Sequence, residues 1–536
     1  MLFRRAALSF IASLSVLPQL AYCAPAQTPK AKLVVAIIVD QFRYDYLTRF
    51  RADYHGGFHQ FLTQGADFTN AFYQQVPTVT AVGHSIFMSG AMPAVSGIIS
   101  NSWYDRDEGK LVTSVCDWDE KQVGGGHGEA PGPKCTDADP ASPKRLLVST
   151  LGDELRTADA KSKVVGVSIK ARGAILPSGH RAAGAYWFDD ETGNFITSTY
   201  YMKELPGWAN AFNTQKLPAQ YVDRKWEGFP KWSFHASAGS KLPYLSIPAS
   251  PWGNELIEGF AEAALTGEQL GQRGVTDLLT VSFSSNDYVG HRAGPDSPEV
   301  REMAVRTDQL LAKLFKRIDE TVGMKNTVVV LSADHGVAPT PKQDAEDKMP
   351  GGYLHTNLEE VITGALNKKF GNVTWLVPGT GETGFYFNYE ALRTVKSPDG
   401  RPLTREDVFS TARDAILAIP QLHVVRVYSR EQMDNGVAGD FIARAEVNGY
   451  FPRRSGDLFL VFEPNYIPGS SGTSHFSPYA YDRHVPVLFM GPGIKVGRYH
   501  ETVAPNDIAP TLATMLNLQT PSGSSGRVLS EMFVTQ

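Results

Sequence analysis

Three apolar runs, LVVAIIV, TDLLTVSF and NTVVVLS, each lead within a few residues to an aspartate: Asp40, Asp287 and Asp334. Continuous rather than alternating hydrophobicity marks strands buried on both faces, as in a parallel sheet covered by helices. VVGVSI and PVLFM extend the series, so strands are expected at 33–39, 164–169, 278–284, 327–332 and 486–490. Helical patterns lie between several of them. The clearest starts at Ser297 with Pro298 in its first turn, stacks Leu310, Leu311, Leu314, Phe315 and Ile318 on one face, and stops at Gly323. It joins the strand before Asp287 to the strand before Asp334, so the two belong to one crossover unit, for which the right-handed form is the rule. The expected fold class is α/β: a doubly wound, mostly parallel central sheet with helices on both faces. Ligands of such sheets sit at the carboxyl ends of the strands, where the three aspartates fall.

Two stretches interrupt this plan. Residues 185–275 are rich in Trp, Tyr, Pro and Gly, and residues 341–470 mix helix and strand patterns of their own. Both read as cap insertions within one catalytic domain over 24–536, and GGGHGEAPGPK reads as a surface loop. No internal repeat is evident. Trp187, Trp208, Trp226, Trp232 and Trp252 of the first stretch either line a substrate entrance or pack, the commoner fate of Trp.

With 42% hydrophobic and 20% charged residues the chain is globular, and its formal charge of -5 supplies no basic footprint for nucleic acid. An anionic ligand must be held by local groups. The first residues carry Arg4 and Arg5, an apolar stretch and the small-residue region AYCAPA, a secretory signal over about 1–23 that implies export to the periplasm or beyond. Leu20, Ala21, Tyr22 and Cys23 approach a lipoprotein box, but Tyr22 stands where a small residue is wanted. No later run spans a bilayer, so stable membrane insertion is not expected. Removing the signal leaves Cys116 and Cys135, an even pair in an oxidising compartment, and a disulfide between them is expected.

Candidate chemistry clusters at the strand ends. His291 follows Asp287 in NDYVGH and His335 adjoins Asp334 in SADHG, giving mixed carboxylate and imidazole ligands of the kind zinc prefers. In PTVTAVGHSIFMSG, Thr80 precedes a helical stretch from Ala81 to Ser89 stopped by Gly90. A hydroxyl there feels the positive end of the helix dipole, although Thr78 or Thr80 could equally be an N-cap. Asn101 lies in a turn-like context where its amide could donate to a phosphoryl oxygen. Lys170 and Arg172 follow a strand, and on extended chain residues two apart share a side, which aims both cations at the crevice. Such a pair suits a dianionic terminal phosphate better than a diester. One further imidazole comes from His475, in a Gly/Ser loop able to reach inward, or from His484, adjoining a strand.

Taken in order, IIVDQFRYDYL, PTVTAVGH with SGIISNSWYD, SIKARGAI, SFSSNDYVGHRAGP, LSADHG, GTSH with YDRHVPVLF, and NDIAPTLA resemble the alkaline phosphatase superfamily. Within it, they resemble the bacterial periplasmic threonine-type alkaline phosphatases. The resemblance runs from about residue 33 to about residue 520. It implies two zinc ions, one held by Asp40, Asp334 and His335 with Thr80 as exchangeable alkoxide, the other by Asp287, His291 and His475. It also implies that Asn101, Lys170 and Arg172 hold the nonbridging phosphate oxygens, and that phosphate monoesters are cleaved through a phosphothreonine. Diester-cleaving relatives look similar in ligands, Thr and Asn but lack the Lys and Arg pair. Phe476 departs from the pattern, which has a small residue after the histidine.

Other readings are a nucleotide pyrophosphatase/phosphodiesterase, a sulfatase, whose maturation motif is not found at Thr80, and a non-catalytic zinc-binding periplasmic protein. The acidic loops leave room for an additional calcium ion. The oligomeric state is not legible.

Overall fold

The computed structural model describes residues 31–126, 139–232, 242–354, 357–378, 384–437 and 439–534. The proposed signal segment and Cys135 lie outside these residues.

The central sheet has ten strands. In chain order they are β1 (Leu33–Val39), β2 (Ala66–Phe68), β3 (Gln122–Val123), β4 (Val164–Ser168), β5 (Gly184–Phe188), β6 (Phe195–Ser198), β7 (Asp277–Phe283), β8 (Thr327–Ser332), β9 (Val487–Met490) and β10 (Gly497–Tyr499). Their order across the sheet is β10-β2-β9-β8-β1-β7-β4-β5-β6-β3. The middle five, β8 to β5, are parallel, with Ile37 opposite both Leu331 and Val281.

Every residue of β1 is buried because both faces are covered. Leu33, Val35, Ile37 and Val39 join one core with helices α3 (Pro251–Gly267) and α5 (Pro298–Thr321). Val34, Ala36 and Ile38 join the opposite core with α7 (Ile508–Met515). In α5 the hydroxyl of Ser297 accepts the Val300 N–H, and Leu311, Leu314, Phe315 and Ile318 are buried on one stripe. The crossover through α5 joins β7 to β8 with β1 between them.

The expected strand at 486–490 forms, but it runs antiparallel to β8, pairing Ser332 with Val487 and Val329 with Met490. The cause lies in the preceding loop. Gly336 N–H donates to the Asp482 carbonyl at 2.7 Å, so the chain enters β9 beside the end of β8 and can only run back along it. The sheet is therefore parallel at its centre and mixed towards its edges.

The 185–275 stretch is not set apart as a cap. It supplies most of β5 and all of β6 to the main sheet, while α3 buries Leu256, Ile257, Phe260 and Leu265 in the main core. Its aromatic content reflects that packing: Trp187, Trp226, Trp232 and Trp252 are buried and Trp208 is half-buried. Residues 341–470 do build a smaller core, with Trp375, Phe387 and Phe409 beneath a two-stranded ribbon of Val424–Ser429 and Leu458–Phe462. From this part, helix α6 (Phe441–Gly449) returns to the main domain.

Candidate active site

Three strand ends supply the acids. Asp40 follows β1, Asp334 follows β8, and Asp287 sits in the first turn of α4 (Ser285–Ala293) after β7. The helix places Asp287 and His291 one turn apart on one face, with Asp287 Oδ1 3.2 Å from His291 Nε2. His475 Nε2 stands 3.8 Å from the same oxygen, and these three side chains cluster closely enough for one ion. His335 Nε2 lies 3.3 Å from Asp334 Oδ2 and 3.5 Å from Thr80 Oγ1.

The imidazoles share one arrangement. Nδ1 of His291 meets the Thr473 carbonyl at 2.8 Å, that of His335 the Gly336 carbonyl at 2.9 Å, and that of His475 the Thr78 carbonyl at 2.7 Å. Carbonyls only accept, so each Nδ1 carries a hydrogen and each ring turns Nε2 inward, where a neutral ring of this tautomer offers a lone pair. His484 is used otherwise: it stacks on Phe72 at 4.4 Å and Tyr44 at 4.8 Å, and its Nε2 meets the Thr69 carbonyl.

His84 also lies within ligand distance of Asp40 and Asp334. Both its nitrogens are committed, Nδ1 to the Thr80 carbonyl and Nε2 to the Ser282 hydroxyl, each at 2.8 Å. We read it as a brace for the helix that begins at Thr80, while His335 turns its Nε2 to Thr80 and Asp334.

Thr80 is buried as the first residue of α1 (Thr80–Ser89), whose N-cap is Val79 and whose ten residues are all buried. Neither Thr78 nor Thr80 is the N-cap. Gly90, at φ 65, closes the helix in the left-handed conformation that glycine adopts without strain. Asn101 is anchored by its Oδ1, which accepts the Ala81 N–H at 2.9 Å and leaves the amide NH2 as the donor.

Lys170 reaches the site, but not on extended chain. β4 ends at Ser168, Lys170 is the N-cap of α2 (Ala171–Ser178), and half-buried Arg172 is already helical. The alternation argument for this pair therefore fails; a helix start, not a strand end, sets their directions. Lys170 Nζ donates to Asp40 Oδ2 at 3.0 Å and Asp287 Oδ2 at 2.7 Å, joining the two acid sets. Arg172 stands close enough for its charge to act on both Lys170 and His84.

Burial opposes ionisation of all three carboxyls. Lys170 overrides it at Asp40 and Asp287 and holds both below the usual carboxylate range. Asp334 is pushed well above that range by burial and by the charge of Asp40. Among the described residues its Oδ2 accepts no hydrogen bond, an orphaned acceptor at a fully buried position. Burial lowers His335 to about 4, and burial with the charges of His335 and His291 holds His475 well below its ordinary value. At His291 burial works against charge, but Asp287 prevails and raises it. A buried carboxyl oxygen with no hydrogen bond among the described residues, beside imidazoles held through Nδ1 with Nε2 turned inward, is a donor set that fits divalent metal.

One residue that pattern reading missed is Gln41. Held at φ 59, it donates its backbone N–H to Asp334 Oδ1 at 2.9 Å and its amide to Asp287 Oδ1 at 2.7 Å. Its position directly after Asp40 was the available signal. Phe476 explains the expectation of a small residue there: its φ is 105, a region side chains rarely adopt.

A family model described as type I phosphodiesterase / nucleotide pyrophosphatase matches residues 34–478. The chain belongs to this family. Alkaline phosphatase PhoV of Synechococcus elongatus is 37% identical over 541 residues, covering 95% of this chain and 94% of that protein. Alkaline phosphatase PafA of Elizabethkingia meningoseptica is 37% identical over 536 residues, covering 94% and 95%. The crystal structure of wild-type PafA superimposes with a TM-score of 0.84 at 36% identity, over 95% of this chain and 100% of that one.

Proposed function

We propose that this protein is an alkaline phosphatase, a phosphate monoester hydrolase that works through a phosphothreonine at Thr80. The full-length likeness to proteins named alkaline phosphatase supports the reaction class. The observation that carries the mechanism is the buried Thr80 hydroxyl, set at the N-terminus of α1 with His335 Nε2 3.5 Å away and Lys170 between the two acid sets.

Thr80 Oγ1 attacks phosphorus in line with the ester oxygen; the phosphorus–alcohol bond breaks and the phosphoryl group passes to Thr80. Water then attacks from the opposite side, releasing inorganic phosphate and restoring the hydroxyl. Two divalent ions, zinc in this reading, would be held by Asp40, Asp334 and His335 and by Asp287, His291 and His475, and when bound supply Lewis acidity to the attacking and leaving oxygens. The α1 N-terminus and the Asn101 amide face the charge on the nonbridging oxygens. Lys170 and Arg172 balance the second charge that distinguishes a monoester from a diester. Gln41 keeps Asp334 and Asp287 in fixed relation while phosphoryl charge moves between them.

The test compares p-nitrophenyl phosphate with bis-p-nitrophenyl phosphate, after chelation and after zinc readdition. Monoester turnover lost on chelation and regained with zinc supports the reading. Preference for the diester points to the phosphodiesterase alternative, and recovery with manganese alone overturns the zinc assignment. We further propose an exported enzyme with a Cys116–Cys135 disulfide, to be checked by fractionation and by thiol titration of the unfolded, unreduced protein.

A further inference from the structure

A cavity of about 580 Å³ opens from the active site towards the smaller domain. Asn101, His291 and His475 stand in its wall, with Phe385, Tyr450 and Phe476 among its aromatic lining. Its charged lining is one-sided. Glu446, Glu463 and Asp482 face it, and no lysine or arginine is among the described residues that line it.

Glu446 differs from the other two acids. Glu463 pairs with His423 at 2.9 Å, and Asp482 accepts the Ser477 N–H at 2.7 Å and its hydroxyl at 2.6 Å through Oδ2, with only its Oδ1 lacking a partner among the described residues. Glu446 is 9% exposed, and among the described residues no donor reaches it. Burial alone pushes its carboxyl up to about 8. An unpaired acid on a cavity wall is expensive unless a ligand completes it.

Its position is fixed relative to the nucleophile. Val76 N–H donates to the Ala445 carbonyl at 3.0 Å and Asn448 Nδ2 to the Gln74 carbonyl at 2.8 Å, tying α6 to the segment that leads into Thr80. Gly449 lies against the Val76 carbonyl, where no side chain fits.

We propose that this cavity receives the alcohol portion of the substrate and that Glu446 is a specificity-determining residue for leaving groups bearing an ammonium. The inference rests on the monoesterase reading, in which the alcohol departs on the His291 and His475 side. A cation entering here meets aromatic faces and a carboxyl without a protein donor, whose ionised form the cation itself stabilises, in a poorly solvated space. An anionic leaving group meets three acids.

The test measures kcat/KM for aminobutyl, aminohexyl, butyl, hexyl and carboxypentyl phosphate, with wild type and Glu446→Gln. Binding of aminohexylphosphonate and hexylphosphonate is measured by calorimetry, and thermal melts confirm folding. Wild type should favour at least one ammonium ester over its neutral counterpart by roughly 10- to 100-fold, with the carboxylate ester poorest, and Glu446→Gln should erase the preference in turnover and binding. Neutral esters turned over with no ammonium preference would overturn this inference alone. A preference surviving in Glu446→Gln would assign it elsewhere. If no ester is cleaved the monoesterase reading falls, while the phosphonate comparison still decides whether Glu446 selects ammonium.

Discussion

Gly83 sits inside α1, where replacement by alanine would ordinarily stabilise a helix by about 1 kcal/mol. Here the structure reverses the sign. A methyl at Gly83 would stand 2.5 Å from Asp334 Cα and 2.6 Å from its Cβ, with the Asp334 carbonyl closer still. Carbon atoms prefer about 3.5 Å, so α1 and the Asp334 loop must part by about 1 Å. Overpacking of this kind costs about 1–3 kcal/mol, enough to cancel or exceed the helix gain. The displacement falls between Thr80 and Asp334, and an error of about 1 Å in reacting groups costs about 100-fold in rate. Gly83→Ala should therefore melt no higher than wild type, bind zinc more weakly in chelator competition, and lose about two orders of magnitude in kcat/KM on p-nitrophenyl phosphate. A variant that melts higher and keeps full activity would show that the packing of α1 on the Asp334 loop does not set the site.

Thr80→Ala should retain zinc binding and folding but lose nearly all monoester turnover, with no phosphoprotein trapped on acid quench; near wild-type turnover would remove the covalent step. The double change Lys170→Ala with Arg172→Ala should reduce monoester hydrolysis far more than diester hydrolysis, measured as the ratio of the two kcat/KM values, and equal losses would undo the charge argument. Gln41→Ala should weaken zinc binding by about 10- to 100-fold, read by chelator competition, because nothing then spans Asp334 and Asp287. His180 is raised above its ordinary value by its hydrogen bond to Asp153. Its contribution is thus present in full below the unfolded value of about 6.5 and is lost as pH rises through the folded one. The melting difference between wild type and His180→Gln should shrink from acidic to alkaline buffer, and a constant difference would contradict it.

The middle of the sheet was legible because burial on both faces leaves an unbroken apolar run, and the run ends where the chain must turn polar, at Asp40, Asp287 and Asp334. The crossover helix was legible through its Ser297 cap, its apolar stripe and Gly323. What stayed hidden depends on partners distant in sequence. The reversed direction of β9 follows from backbone bonds between Gly336 and Asp482, and Gln41 acts through residues 246 and 293 positions away. The placement of β5, β6 and α3 in the main fold escaped notice because aromatic, Pro-rich sequence reads as irregular until its packing surface is known. Lys170 and Arg172 were read as extended chain continuing past a strand that ends at Ser168, whereas a helix begins at Ala171; element boundaries are where local pattern is weakest.

The electrostatics explain why Lys170 stands apart from an ordinary phosphate-binding cation. Three buried acids at adjacent strand ends resist ionising together, because their charges would repel one another and burial strengthens that repulsion. Lys170 overcomes it at Asp40 and Asp287, which it touches, but only lessens it at Asp334, whose Oδ2 has no hydrogen bond among the described residues. In the proposed mechanism the same ammonium that neutralises the acids also meets the dianionic phosphate. Its two tasks compete: a cation that shields the carboxylates frees Lys170 for phosphate, and removing that cation returns it to Asp40 and Asp287. Substrate affinity and metal occupancy should therefore rise together. In Lys170→Ala, phosphate affinity measured by calorimetry should be lower with metal present and should depend less on zinc concentration than in wild type. Equal zinc dependence in the two proteins would show that Lys170 does not link the acids to the phosphate.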